Sequence, residues 1–293
     1  MLTIAHIVNP VRVSEDSDLF IAQPVTFEAM RRAREYAQAT CEVRLLTTQY
    51  PRDQDIVPEG FQPLADLDRS VLDIGAFRVP RKLPLVRDIL DRLYAGSRNA
   101  DILIYSNVDI APQPYFYAAI SAIAQRGYDA FVINRRTIPG VFTSPSQLEL
   151  MYAEAGHPHP GYDCFVFRRD LFPKFDLGNA CIGASGIGKV LVANLILHGR
   201  RFSELRDCHL TFHLGDDRKW QQDSLRDYQR HNMRQLAAII APANIRSGNG
   251  QHPLLQRFAK QVRDFEHGAG NSKRAEGNLL GRILKRAKPG GRG

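Results

Sequence analysis

The chain has 293 residues, 44% of them hydrophobic, with 39 Lys and Arg against 31 Asp and Glu for a formal charge of +8; this supports one substantial core or two modest ones and excludes disorder for the bulk. Its four cysteines, Cys41, Cys164, Cys181 and Cys208, fall singly in apolar runs without CxxC spacing, which argues against a disulfide framework or a cysteine-rich zinc site and for buried free thiols in a reducing cytoplasm. No charged-then-apolar leader opens the chain, and no apolar run approaches the roughly 18 residues of a membrane span, so a cytoplasmic protein, at most attached to the inner membrane face, is expected.

LTIAHIV (2–8) reads as a buried strand ended by the turn-forming Asn9 and Pro10. From about Thr26, the residues Phe27, Met30, Ala33 and Ala37 recur at helical spacing with Glu28 in the first turn. EVRLLTTQ (42–49) follows as a second strand, and a strand, helix, strand opening is that of an α/β fold. Leu83, Val86, Ile89, Leu90 and Leu93 mark an amphipathic helix ending near Ser97; DILIYSNVD (101–109) is a buried strand; a helix over 113–126 stops at Gly127. AFVINRR (130–136) and CFVFRRDLF (164–172) are strands, a helix runs from an N-cap at Ser185 to His198, CHLTFHLG (208–215) closes the set, and a last helix spans 224–240. The alternation predicts a three-layer, mostly parallel α/β sheet over 1–225, a C-terminal helix over 226–244 and a flexible basic tail over 245–293.

From Arg226 onward 14 Lys and Arg stand against 4 Asp and Glu, while residues 1–225 carry 25 against 27. The basic character therefore belongs to the C-terminal part. Within it, NLLGRILKRAK (278–288) has the pattern of a short basic amphipathic helix suited to an anionic membrane surface. Phe258 and Phe265 are the only rings after Tyr228, too few for a base-stacking surface, which argues against a nucleic-acid partner. A solvated, solubilising tail explains the same charges.

GASGIGKV (183–190) has the glycine and lysine spacing of a phosphate-cradling loop. Val190 stands where such a loop needs a Ser or Thr for magnesium, and no buried strand precedes the glycines, so a turn leading into a helix accounts for it. An ATP- or GTP-binding protein using this loop stays as the alternative. The chemistry is expected instead at the end of ILIYSNVD. A buried strand ending in Asn-x-Asp puts Asn107 and Asp109 on one face at the ligand-binding edge of an open α/β sheet. Such oxygen ligands suit Mg²⁺ or Mn²⁺ on a diphosphate; capping of the following helix is the competing role for Asp109. HPHPGYDCF delivers Asp163 on a rigid Pro/Gly loop to the start of an apolar strand, where an acid is costly unless paired or used. HLTFH puts His209 and His213 on one face at a separation of four, without the Glu of a zinc-protease motif.

In order, these segments resemble the GT-A type of glycosyltransferase, the nucleotide-diphospho-sugar transferases, over residues 1–225. The resemblance rests on the opening strand, helix, strand unit, on YSNVDI at the place of the family's Asp-x-Asp motif, on GYDCFVFRRDLF and on TFHLGDD. It implies a Rossmann-like sheet, Asp109 and His213 as ligands of Mn²⁺ or Mg²⁺, and Asn107 where the family has an acid. It further implies Asp163 as catalytic base or binder of the acceptor hydroxyl, and Asn9 and Pro10 beside the nucleoside. Arg81 and Lys82 in VPRKLP, and Arg135 with Arg136, are candidates for phosphate or sugar contacts, with a solvated basic surface as the alternative. The implied partners are a nucleotide-sugar donor and a glycan, lipid-linked or small-molecule acceptor, as in polysaccharide biosynthesis. A non-catalytic sugar-binding or membrane-surface protein on the same fold is the remaining alternative.

Overall fold

The computed structural model describes residues 1–216, 222–241 and 251–265. In chain order they form β1 (Leu2–Val8), α1 (Leu19–Tyr36), β2 (Cys41–Thr47), β3 (Gln62–Pro63), α2 (Val86–Gly96), β4 (Ile102–Ser106), β5 (Ala111–Pro112), α3 (Phe116–Gln125) and β6 (Ala130–Ile133). The later elements are β7 (Arg136–Ile138), α4 (Leu148–Ala153), β8 (His157–Pro158), β9 (Cys164–Arg168), α5 (Ile187–His198), β10 (Phe202–Leu205), β11 (Thr211–Leu214), α6 (Arg226–Ile239) and a helix over 253–265, α7.

The larger sheet has the order β10-β6-β9-β4-β1-β2-β3. All neighbours run parallel except β9, which pairs antiparallel with both β4 and β6. The alternation of strand side chains builds its two cores. Ala5, Ile7, Leu103, Tyr105, Val132, Phe165 and Phe167 face the layer of α2, α5, α6 and α7, while Ile4, Val8, Ile102, Ile104, Phe131, Ile133 and Val166 face α1 and α3. The expected three-layer α/β architecture with a mixed sheet is therefore present. On the α1 and α3 side His6 is buried between Tyr117 Oη and Ser106 Oγ, each 2.9 Å away. Burial pushes its imidazole down to about 3, so the ring is a neutral tie between β1, β4 and α3.

A second sheet, β5-β11-β7-β8, crosses the carboxyl-terminal side of the first and packs Ala111, Ile138 and Phe212 on Val25 and Ala29 of α1 and Leu148 and Met151 of α4. It splits the strand expected over 130–136: the chain leaves the large sheet after Ile133, turns at Asn134 and Arg135, and enters the small one at Arg136. Helix α1 begins at Leu19 rather than near Thr26 and accommodates Pro24 inside it. Its buried Gln23 bonds both the amide and the carbonyl of Val11, fixing the loop after β1.

Two further expectations are corrected. Cys41, Cys164 and Cys181 are buried free thiols, but Cys208 is exposed. The stretch expected to be a flexible tail from 245 contains α7, whose Leu254, Leu255, Phe258, Ala259 and Val262 are buried in the α2/α5/α6 core; their spacing of four and three residues gives the helix one apolar face. The segment 278–288 lies outside the described residues. Among the described residues, no helix is long and apolar enough to cross a membrane.

Candidate active site

β4 is central in the sheet, and the residues just beyond its end are displayed at the sheet's carboxyl edge. The Asn107 amide donates to the Asp163 carbonyl at 3.1 Å, and Asn107 Nδ2 reaches Asp163 Oδ1 at 3.4 Å. The register Ser106↔Cys164 extends by this contact into the loop before β9, so backbone joins Asp163 to Asn107, two residues before Asp109. Arg135, turned inward where the chain changes sheets, places its guanidinium 3.1 Å from Asp163 Oδ1 with both side chains 9% exposed. It is no solvated surface residue. Arg136 instead bonds the carbonyls of Ala155 and Gly156.

His213 comes from β11 of the small sheet, with Nε2 3.3 Å from Asp109 Oδ2. Its Nδ1 donates to the Gly215 carbonyl at 2.8 Å, a bond possible because Gly215 turns the chain at φ 71°. With Nδ1 as donor, the neutral ring offers the Nε2 lone pair toward Asp109. Burial works against ionisation of Asp109, but the hydrogen bond and charge of His213, with the Arg135 charge, hold its carboxyl below the ordinary value. Burial likewise opposes protonation of His213, and the hydrogen bond and charge of Asp109 outweigh it, raising the imidazole. Burial, with the charges of Asp109 and Asp163, also pushes the Tyr105 phenol up. Asp109, Asp163, His213, Arg135 and Asn107 thus form one connected cluster.

The cluster is incomplete as it stands. Among the described residues, Asp109 Oδ1, Asp163 Oδ2, Arg135 Nε and Asn134 Oδ1 are buried without a hydrogen-bond partner. Orphaned buried polar atoms are costly in a protein that binds nothing there. The donor set fits a divalent cation: Asp109 Oδ1 is free to coordinate, and the His213 ring is oriented by its backbone carbonyl as metal-bound histidines are. Among the described residues no three acidic, histidine or cysteine side chains converge as a self-sufficient metal site, so the remaining ligands would come from substrate phosphates and water.

The other expected residues lie elsewhere. Asn9 is buried just past β1, its Nδ2 donating to the Thr48 carbonyl, with buried Pro10 beside it. The Arg81 amide donates to Tyr228 Oη at 2.6 Å and its guanidinium to Ser224 Oγ at 3.2 Å, while Lys82 sits 4.1 Å over the Tyr50 ring. Among the described residues neither makes contact with Asp109, Asp163 or His213. His209 and His213 do not act together: His209 lies before β11, and its Nε2 meets Gln113 Nε2 at 2.9 Å.

The sequence did not single out Asp53, which comes after β2 and is 1% exposed. Its Oδ1 accepts the Arg12 amide at 3.2 Å; among the described residues its Oδ2 has no hydrogen-bond partner, with Arg52 Nε 3.6 Å away. Gln49, fully buried after the same strand, has an unpartnered Oε1 and lines a hollow of about 420 Å³ with Gln54, Val57, Leu64 and Asp66. None of the Asp109 cluster lines that hollow.

No protein-family model matches this chain, and no curated protein sequence matches it. Solved structures do. S. aureus TarS 1–349 in complex with UDP-GlcNAc superimposes with a TM-score of 0.52 at 10% identity, over 89% of this chain and 71% of that one. The fold is of the GT-A type. The same TarS fragment in complex with UDP gives a TM-score of 0.49 at 10% identity over 82% and 65%, and GalNAc-T7 with UDP, GalNAc and Mn²⁺ gives 0.46 at 11% over 89% and 54%. On this GT-A scaffold the segment 183–190 is the start of an ordinary helix. Gly186, at φ 99°, is the N-cap, with no side-chain cap and not Ser185 as expected. The buried Asn232 amide of α6 fills the preceding loop, bonding Cys181 N and O and the Ala184 and Ser185 carbonyls.

The Asp109 and His213 shifts set a pH window. Asp109, depressed on folding, contributes stability present above its unfolded value and lost as pH falls through the folded one. His213, raised on folding, contributes stability complete below its unfolded value and lost as pH rises through the folded one. In metal-free buffer the Tm gap between wild type and His213→Gln should therefore be widest between about pH 3.9 and about pH 6.5 and shrink toward pH 9. Melting curves across that range would refute the assignment if the gap stayed constant.

Proposed function

We propose that this protein transfers a sugar from a nucleoside diphosphate sugar to an acceptor hydroxyl. The observation that carries the reading is the convergence, beyond the carboxyl ends of the central strands, of Asp109 with His213 and Asp163 with Arg135, each carboxylate keeping one buried oxygen without a hydrogen-bond partner. A fold shared with TarS supports it at the level of architecture; the chemistry rests on the cluster.

Asp109 and His213 would hold Mn²⁺ or Mg²⁺, which when bound neutralises charge on the departing diphosphate. Asp163 Oδ2 takes the proton of the acceptor hydroxyl as its oxygen bonds to the anomeric carbon; the bond from that carbon to the diphosphate breaks and the diphosphate keeps the electron pair. Arg135 holds Asp163 in place and lends positive charge near Asp109. Asn107 locks the loop of Asp163 to the end of β4. At the far end of the same edge, Asn9, Pro10 and Asp53 would border the nucleoside, the unpartnered Asp53 Oδ2 accepting an N–H from the base. Glycans, lipid-linked sugars and small polyols all present the hydroxyl required of the acceptor.

The test is a thermal-shift and hydrolysis screen of UDP-, GDP-, dTDP- and CMP-sugars with and without Mn²⁺. One nucleotide sugar at 100 times its Kd should stabilise the protein by about 2.7 kcal/mol, a Tm rise of several degrees. Asp109→Ala should abolish the Mn²⁺-dependent part. If no sugar nucleotide stabilises the folded protein while ATP or GTP does, and Lys189→Ala removes that response, sugar transfer is wrong and the 183–190 segment is the site.

A further inference from the structure

Lys189 lies in the first turn of α5 and Arg257 in α7, and both helices close on Tyr162, the residue before Asp163. A Cβ on Gly188 would stand 2.8 Å from the Tyr162 carbonyl oxygen and 3.1 Å from Tyr162 Cβ, so α5 starts hard against the peptide that joins Tyr162 to Asp163. Phe258, next to Arg257, packs edge-on against the Tyr162 ring, with centroids 6.0 Å apart. The charged ends gather at the same place. Burial, then the Glu204 charge, raises the Tyr162 phenol against the charges of Arg257 and Arg206. Burial, then the Arg257 charge, lowers the half-buried Lys189 ammonium.

Arg206 has its counter-charge, with Nε 2.9 Å from Glu204 Oε1. Lys189 and Arg257 do not: among the described residues neither side chain has an ion-pair or hydrogen-bond partner. A half-buried ammonium beside a like charge is unfavourable on both counts, and a bound anion would offset both. The carboxyl ends of β2, β1, β4, β6 and β10 share one edge of the large sheet with the amino end of antiparallel β9. Along that edge Asp53 and Asn9 come after β2 and β1, Asp109 after β4, Asp163 before β9 and Arg206 after β10. The cations around Tyr162 therefore lie beyond Asp163, on the side away from Asn9 and Asp53.

We propose that Lys189 and Arg257 bind an oxyanion, a phosphate or a carboxylate, carried by the sugar acceptor, so that the acceptor is an anionic sugar or polyol rather than a neutral one. This rests on the sugar-transfer reading, which gives Asp163 to the acceptor hydroxyl. An ammonium and a guanidinium together match the oxygens of phosphate or carboxylate. A metal ion or an amine would add a third positive charge, and a neutral glycoside would leave the two cations opposed. On the same reading the donor diphosphate takes the cation at Asp109 and His213, which leaves these two charges for the acceptor. Lys189 and Arg257 move no proton; they set which acceptor is held beside Asp163.

Calorimetric titration of the full-length chain with inorganic phosphate, methyl glucoside 6-phosphate, methyl glucuronide and neutral methyl glucoside is the test. One of the two anionic glycosides should bind at least about tenfold more tightly than methyl glucoside, the worth of one charged hydrogen bond, and the gap should shrink in about 0.5 M NaCl. Which of the two binds tells phosphate from carboxylate. Lys189→Gln and Arg257→Gln should each weaken that glycoside about tenfold. In turnover with the nucleotide sugar that wild type hydrolyses, each variant should raise its KM by a similar factor, with the UDP Kd changed less than about twofold. Anionic glycosides that bind no better than methyl glucoside, whether or not inorganic phosphate binds, overturn the proposal. So does a Kd that is the same in both variants as in wild type, or an equal loss of UDP binding, which would give the two cations to the donor. If wild type turns over no nucleotide sugar, the transferase reading fails by itself, and the titration still decides whether Lys189 and Arg257 bind an anion.

Discussion

Arg135→Met should lower the unfolding free energy by about 3–5 kcal/mol, seen as a Tm fall on the order of 10 °C. Arg135 Nη1 is 3.1 Å from Asp163 Oδ1, and both side chains are 9% exposed, so solvent cannot replace the lost partner. Asn107 Nδ2, at 3.4 Å, is the remaining donor to that oxygen, and a neutral amide at that distance compensates little. The damage spreads, because the Arg135 charge also helps hold the Asp109 carboxyl down and opposes protonation of His213. Without it Asp109 depends on His213 alone, with the Asp163 charge now uncompensated nearby. Removing one member of a buried pair is what costs; removing both is tolerated when the space stays filled. Arg135→Met combined with Asp163→Leu should therefore melt closer to wild type than Arg135→Met alone. A single variant melting within about 2 °C of wild type would show that the pair is solvated and that the cluster has no buried ionic centre.

That pair also shows where the sequence stopped being informative. Long periodic segments were legible: β1, β2, α2, β4, α3, α5 and α6 lie within a few residues of their expected places, since each carries enough apolar residues at one period to leave little choice. The small sheet was not legible, because two- and three-residue strands such as Ala111–Pro112 and Arg136–Ile138 have no period to read. Missing it hid the reason Arg135 is buried: AFVINRR reads as one strand, and only the change of sheet at Asn134 turns Arg135 inward. The same gap affected the histidines. A separation of four aligns His209 and His213 only if both belong to one regular element, and β11 begins at Thr211.

Asp163 could be singled out because an acid starting a strongly apolar strand has to be paired or used, and Asp109 because it follows a buried strand at the ligand edge of the sheet; the structure pairs them with Arg135 and His213. Asp53 lacks that signal. In PRDQD it sits among polar neighbours, and its burial comes from the loop after β1 folding over it. α7 was hidden by averaging: the polar composition of 245–293 masks the helical spacing of Leu254, Leu255, Phe258 and Val262. Its Phe258 packs edge-on against Tyr162, with ring centroids 6.0 Å apart, so the supposed tail buttresses the residue next to Asp163.

Asp163→Asn should cut turnover by about 10²–10⁴-fold, the range for loss of a positioned general base, while the Kd for UDP changes little. The amide keeps the shape and an acceptor oxygen for Asn107 and Arg135 but cannot take a proton. On the proposed sugar-transfer reading donor binding is expected to survive, because that reading gives Asp163 to the acceptor and Asp109 and His213 to the cation and the diphosphate. The two acids should therefore separate kinetically: Asp109→Asn weakens nucleotide binding in Mn²⁺, and Asp163→Asn lowers kcat with binding intact. Because Asp163→Asn also leaves Arg135 without its counter-charge, some stability will be lost, so Asp163→Glu is the companion variant. It keeps the charge but displaces the carboxylate by one methylene, and should remain folded with turnover reduced about 10–10²-fold by misplacement alone. Full activity in Asp163→Asn, measured on a folded protein, would remove Asp163 from the reaction and leave its carboxylate as a structural partner of Arg135. Equal loss of UDP binding in the Asp109 and Asp163 variants would instead mean that the cluster acts as a single donor site, with the acceptor held elsewhere.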